Sequence, residues 1–400
     1  MINNISFSNP QNVYSKNSIQ FTGKPENKNK EKSFVVKGSQ TDAKVFTSAV
    51  DYRTYDQIKA ICNHPAFYQK PIRIMPDVHP SKSTLVGFSA PVDYEKIIPG
   101  IIGGDIGCGM LCVKLDTQGQ EIDYKKLDDV IRTYVSSGRT RTPNSMSKIS
   151  SKLSRQIKDI CADMKFTSSD FQESRLATLG GGNHFIEIDS DTNGQKYLII
   201  HTGSRNFGKQ IAQKHQFNAR QQNHYFIKEL SYLSGDEAKK YLQDMKIALQ
   251  YAETNRRLIA DEILYRMGWK EKDSFECVHN YISDDGMIRK SAISSKDGEK
   301  LLIPLNMRDG SILATGKGNP DWNETAPHGA GRKVRRGETQ QVLSYKDFVS
   351  SMNGIYSTCV RPDTLDEAPD AYKDSDEIIE NIDGTANVDE VIKPVYNFKE

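Results

Sequence analysis

The chain has 400 residues, 36% hydrophobic and 26% charged, enough to bury one large core or two ordinary ones. Its 54 basic and 52 acidic residues leave a net charge of +2, which neither demands nor excludes nucleic acid and confines any phosphate-binding surface to a local patch. Six cysteines without a CxxC pair favour reduced thiols over a disulfide scaffold; with no signal-peptide pattern at the start and no membrane-length apolar run, the expectation is a soluble, cytoplasmic protein.

In chain order, residues 1–40 are rich in Asn, Ser, Lys and Gln and read as a flexible polar arm. Residues 41–400 carry no internal repeat and no convincing linker, and read as one large domain. Ile72–Met75, "TLVGFSAPV" and "MLCVKL" read as strands. Between the last two, "IIPGIIGGDIGCG" holds a proline and five glycines and must turn or hug something closely. "DYKKLDDVIRTYVSS" has helical spacing, and "RTRTPNSMSKISSK" after it reads as a mobile loop. "LGGGNHFIEI" and "KYLIIHTGS" are strand-like runs, each interrupted by a histidine. The spacing of Tyr241, Met245, Leu249, Leu258 and Ile263 predicts a long helix over residues 236–267. Strand character returns in "FECVHNYI" and in "KLLIPLNMRDGSILATGKGNP"; "ETAPHGAGRKVRR" reads as a loop opening towards a basic helix, followed by an acidic tail. Strands and helices interleave irregularly, which predicts an α+β fold with mixed sheets, helices outside, and a site where strand ends and loops converge.

Of eight histidines, His215 and His224 in a polar helix read as surface residues, and His64 before a proline as a loop residue. The other five are His79, His184, His201, His279 and His328. His201 ends an apolar run, and His279 follows a cysteine and a valine. A buried imidazole needs a hydrogen bond or a metal, since an unpaired ring nitrogen costs roughly 1–3 kcal/mol. Imidazole, carboxylate and thiolate are standard donors to divalent transition metals. Asp105 and Cys108 in "GGDIGCGM" are the candidate acid and thiol of the same site, a thiolate being able to bridge two metals. Composition leaves Cys108 equally open to a role as a small core residue in a glycine turn. His328 precedes Arg332, Lys333, Arg335 and Arg336, a setting suited to a base or a nucleophile acting on phosphorus.

Taken together, "MPDVHPSKSTLVG", "IIPGIIGGDIGCGM", "LGGGNHFIEI", "IIHTGSRNFG", "VHNY", "GKGNP", "HGAGR" and "DEAPDAYKD" resemble the RtcB family of RNA ligases, in that family's order, from about residue 45 to the C-terminus. The resemblance implies an enzyme that joins an RNA 3′-phosphate or 2′,3′-cyclic phosphate to a 5′-hydroxyl in RNA repair or tRNA splicing, using GTP and two Mn²⁺ ions. It implies that Asp105, Cys108, His184, His201 and His279 hold the metals, with Cys108 bridging, Asp105 and His184 on one ion and His201 and His279 on the other. It makes His328 the nucleophile that takes up guanylate and Asp77 the residue that orients it. Asn183 would contact the nucleotide phosphates, Glu187 and Lys399 the guanine, and Arg205 and Arg332 further phosphates. RNA is the implied partner, with archease as an activator that some members use.

The sequence departs from the family pattern in places. "PSKST" follows the DVH motif where a glycine-rich turn is usual, Leu305 and Asn306 replace a Gly-Ser pair, "HTGSRN" replaces "HSGSRG", and the end reads "NFKE". These departures spare the implied metal ligands and His328, so they bear on substrate preference, as in a divergent paralogue devoted to repair. The alternative readings are a metal-dependent phosphodiesterase or phosphatase acting on RNA ends, and a non-catalytic RNA-end binding protein.

Overall fold

A computed structural model describes residues 33–81, 84–135, 149–166 and 168–399. Its centre is a seven-stranded, all-antiparallel sheet in the order Lys300–Asn306, Gly310–Gly316, Ala386–Lys399, Phe185–Ser190, Lys196–Thr202, Gly109–Asp116 and Lys270–Val278. The near-continuous apolar runs in its central strands follow from burial on both faces. Leu111, Val113, Leu198 and Ile200 point into one core with the long helix, whereas Met110, Cys112, Tyr197 and Ile199 point into another.

A second, six-stranded sheet contains Phe34–Val36, Ala43–Val45, Ile72–Ile74, Phe88–Pro91, Met287–Lys290 and Asn280–Ile282. Its pairs are antiparallel except Ala43–Val45 with Ile72–Ile74. A two-stranded pair, Ala292–Ser294 with Thr325–Pro327, carries the chain towards His328. Helices cover these sheets, giving the expected α+β architecture. The helix Gly235–Met267 matches the apolar spacing seen in the sequence and stops where Gly268 adopts φ 72°. Among the described residues, no helix is long and apolar enough to cross a membrane, and all six cysteines are free.

Several sequence expectations change. The arm expected over 1–40 lies outside the described residues up to residue 32, while Phe34–Val36 forms a sheet strand. Most of the loop expected over 139–152 also lies outside them, and Ser151 and Lys152 open the helix Ser151–Asp163, whose first turn is capped by Ser150. No basic helix follows the HGAGR stretch: the chain makes a short turn, Arg336–Glu338, and a four-residue helix, Thr339–Val342. The tail ends in a 14-residue strand, Ala386–Lys399, deep in the central sheet. His224 is exposed as expected, but His215 is 1% exposed and bonded to Asp244 at 2.9 Å. His64 is wholly buried, with its Nδ1 accepting from the Ala66 N–H. A polar helix can still bury one imidazole when a carboxylate on the packing helix satisfies it.

Candidate active site

Antiparallel register brings residues far apart in sequence to one edge of the central sheet. Cys108 and His184 immediately precede strands, while His201 and His279 end or immediately follow them. Gly109 pairs with both Thr202 and Val278, and Phe185 pairs with His201. The Cys108 carbonyl accepts from the His279 N–H at 2.9 Å. Glycine at 203 lets the chain pass close to Cys108, where a Cβ would lie 3.0 Å from the Cys108 Cα and press on it.

At that edge the donor atoms converge. Cys108 Sγ lies 3.5 Å from His184 Nε2 and 3.3 Å from His201 Nε2, and His201 Nε2 lies 3.4 Å from His279 Nε2. The ligand atoms of Cys108, His201 and His279 all fall within 4.8 Å of one another. His184 therefore flanks the sulfur on one side and the other two imidazoles on the other. Asp105 lines the same cavity but stays exposed and outside that close group.

The outer hydrogen bonds fix one tautomer. His201 Nδ1 donates to the Asn183 carbonyl at 3.0 Å, whereas His184 Nδ1 stands between the Leu179 carbonyl at 3.0 Å and the donor Nη1 of Arg205 at 3.1 Å. His201 Nε2 is thus left as a bare lone pair facing the thiol, the arrangement a metal-binding histidine requires. Burial pushes the His184 imidazole down to about 4, with Arg205 adding to the effect, and holds His201 and His279 well below the usual range. Burial also pushes the Cys108 thiol up to about 12, with Asp105 adding to it. His279 Nδ1 is buried without a partner. A cluster of lone pairs with one thiol proton among them, plus an orphaned ring nitrogen, is costly as it stands and fits a bound cation.

His328 adjoins this cluster, its ring centroid 4.8 Å from that of His279. Its Nδ1 lies 2.7 Å from Oδ2 of Asp77, which is 0% exposed. The carboxylate fixes the imidazole with Nδ1–H inward and a free Nε2, the state an attacking histidine needs. Gly331, at φ 74°, lets the backbone beyond His328 pass against the Asp77 carbonyl, where a Cβ would collide. His79 Nδ1 bonds the same carbonyl at 3.0 Å.

A cavity of about 400 Å³ reaches the cluster at His201 and Asp105 and continues towards the C-terminal strand, lined by Asn183, Glu187, His328, Arg332 and Lys399 among others. Glu187 is buried and accepts from Asn397 at 2.5 Å; burial pushes its carboxyl up to about 7. Lys399 Nζ pairs with Glu367 at 2.5 Å rather than with Glu187. Arg332 also meets Glu367, at 3.4 Å. Arg205 stands apart from the cavity wall and lies 3.1 Å from His184 Nδ1. Leu305 and Asn306 do line the cavity, but the Asn306 side chain is committed to Asp309 and to the backbone of Arg308 and Asp309.

Two residues here escaped the sequence reading. Glu367 is a buried hub that receives Lys399, Arg332, Arg336 and the Tyr372 hydroxyl. Burial works to raise its carboxyl, yet Lys399 and Arg336 hold it below the usual range. The second is Lys290, buried near Asp105 and Cys108 with Nζ 3.2 Å from Asn280 Oδ1. Burial pushes its ammonium down against both of those acidic groups. A lysine in a short mixed strand carried no signal, whereas "DEAPDAYKD" did mark the segment of Glu367.

The family described as "tRNA-splicing ligase RtcB" matches residues 57–400. The chain is similar to the RNA-splicing ligase RtcB of Escherichia coli (strain K12), at 26% identity over 353 residues, covering 78% of this chain and 86% of that protein. It is similar to the tRNA-splicing ligase RtcB of Aeropyrum pernix at 26% identity, covering 78% and 83% respectively. The RNA-splicing ligase RtcB homolog 1 of Entamoeba histolytica is 25% identical, covering 76% of each chain.

Proposed function

The chain belongs to the RtcB family, and from that membership and the cavity's geometry we propose that it is an RNA ligase. It would join RNA 3′-phosphate or 2′,3′-cyclic phosphate ends to 5′-hydroxyl ends at the expense of GTP. The observation that carries this reading is the Asp77–His328 pair at 2.7 Å, one ring away from the Cys108–His201–His279 cluster. A metal-dependent phosphatase would need the cluster but would not need His328 as a nucleophile taking up guanylate.

Two divalent ions, manganese by family resemblance, would be held by Cys108, His184, His201, His279 and Asp105 and would supply Lewis-acid polarisation and charge neutralisation at phosphate. His328 Nε2 forms a bond to the α-phosphorus of GTP and pyrophosphate departs. Asp77 accepts the Nδ1–H throughout and offsets the positive charge that develops on the ring. Guanylate passes from His328 to the RNA 3′-phosphate, a cyclic end having first been hydrolysed. Attack by the 5′-hydroxyl then closes the phosphodiester and releases GMP. Asn183 and the Arg332 region suit the phosphates, and Glu187 with Lys399 suits the base edge of guanine. An archease-like activator belongs to the same proposal.

The test is covalent labelling with α-labelled GTP and Mn²⁺. An acid-labile, alkali-stable label on the protein, absent in His328→Ala, is the expected result. No label with any divalent metal, combined with turnover of RNA phosphate ends, would install the phosphatase reading instead. RNA-end binding with neither label, turnover nor bound metal would point to a non-catalytic binder.

A further inference from the structure

The converging ligands all come from loops and strand ends, so something must hold four separate backbone segments in register. Their support comes from two adjacent residues in the middle of the helix Gly235–Met267, Asn255 and Arg256, both 0% exposed. Arg256 Nη1 donates to the Gly107 carbonyl at 2.8 Å and the Thr202 carbonyl at 2.9 Å. These are the residues next to Cys108 and His201. The other edge of the guanidinium grips Glu276 through two bonds, Nε to Oε1 at 3.1 Å and Nη2 to Oε2 at 2.8 Å. Glu276 lies on the strand that ends at His279.

Asn255 completes the set. Its Oδ1 accepts from the Thr178 N–H at 3.0 Å, and its Nδ2 donates to the Thr178 carbonyl at 3.0 Å and the Gly203 carbonyl at 3.3 Å. Thr178 precedes Leu179, whose carbonyl receives His184 Nδ1 and the Thr202 hydroxyl. Cys108, His201 and His279 thus each lie one to three residues from a direct partner of this dipeptide, and His184 bonds the carbonyl of the residue after Thr178.

We propose that Asn255 and Arg256 are positioning residues of the metal centre, a two-residue clamp through which the long helix sets the spacing of Cys108, His184, His201 and His279. The proposal rests on those four residues being the metal ligands. A buried guanidinium with five N–H donors in a fixed fork suits the task, because it bonds two carbonyls on one side and a carboxylate on the other without flexing. Lysine cannot span all three acceptors. Outer partners of this kind typically set metal affinity by about 10- to 100-fold.

The test uses the full chain loaded with Mn²⁺ or Co²⁺ and reads metal affinity and the near-ultraviolet thiolate-to-cobalt band. The variants are Arg256→Lys, Arg256→Met and the isosteric Asn255→Asp, compared with Ile58→Val or Ile58→Ala chosen to match their loss of Tm. Ile58 is buried in the helix Tyr52–Cys62, on a different element from the clamp and from the four ligands. The expected result is a loss of about 10-fold or more in Mn²⁺ affinity and a shifted cobalt band in all three clamp variants, with Arg256→Lys milder than Arg256→Met. The Tm-matched Ile58 variant keeps both. Clamp variants that bind metal as well as the Ile58 control overturn the proposal. So does failure of all three to fold, which would make the pair a support of the fold rather than of the centre. Absence of a thiolate band in the wild type, or its survival in Cys108→Ala, would instead defeat the underlying ligand assignment.

Discussion

Asp77→Asn isolates what the carboxylate does for His328. The native pair is a buried, 2.7 Å contact to a carboxylate whose other oxygen, Oδ1, has no partner. A hydrogen bond to a charged group is worth roughly 1.5–3 kcal/mol, so losing it at the stage where the ring carries positive charge costs about 10- to 100-fold in rate. The amide adds a second penalty. If it turns its NH₂ towards Nδ1, the ring must carry its proton on Nε2, and the attacking lone pair is gone. With both effects, guanylylation should slow by about 10²–10⁴-fold, on the scale seen when a triad aspartate is changed to asparagine. Stability should hardly suffer, because the substitution removes a buried charge and keeps the shape. The assay is single-turnover labelling from α-labelled GTP at saturating nucleotide, with Tm and the cobalt spectrum as controls. A variant that labels within about three-fold of wild type, with both controls unchanged, would refute an orienting role for Asp77.

Three further outcomes are expected. Cys108→Ala should lose both full metal occupancy, by elemental analysis, and guanylylation; retention of both would return Cys108 to a core-packing role. Glu187→Gln tests the buried carboxyl: since its folded value is raised to about 7, the native state keeps a proton that the unfolded chain has lost, and stability falls as pH rises from the ordinary carboxylate range through about 7. The glutamine variant should therefore gain more Tm at pH 8 than at pH 5, and a pH-independent change would contradict this. Gly331→Ala should destabilise by about 1–2 kcal/mol, from the left-handed backbone alone, and should also slow His328 labelling because the Asp77 carbonyl must move; melting curves and the labelling assay read both.

The parts of the site that could be read in the sequence share one physical property. His201 follows a buried apolar run, and Cys108 sits among glycines, so each is a polar group where a strand should be dry or a turn should be bare. Such conflicts between a residue and its local pattern are visible without a structure. The long helix is equally plain from its apolar spacing, although the buried Asn255 and Arg256 interrupt that spacing in its middle. What stayed hidden depends on long-range pairing. His215 was expected at the surface because its own helix is polar, and only Asp244 on the packing helix makes its burial tolerable. The first half of the C-terminal strand falls in the acidic stretch after Pro362 and faces solvent, while Tyr396 and Phe398 in its last half fill a core. Glu367 and Lys290 look like ordinary surface charges until sheet register delivers their partners.

On the proposed function, one contrast would let neighbouring imidazoles take different work. The rings of His201, His279 and His328 follow one another at 5.2 and 4.8 Å, so distance to phosphate cannot separate their roles. The atom bonded to Nδ1 can. His201 gives that proton to a backbone carbonyl, which fixes a tautomer but offers little to a ring that becomes positive. His328 gives it to a carboxylate, which fixes the same tautomer and also stabilises the charged ring. A carbonyl partner suits a lone pair that stays on a cation, where no net charge accumulates on the imidazole. A carboxylate partner suits a lone pair that must form a bond to phosphorus and later release it. On the proposed function, the Nδ1 partners of His201 and His328, rather than the imidazoles themselves, would separate a ring that holds metal from a ring that reacts.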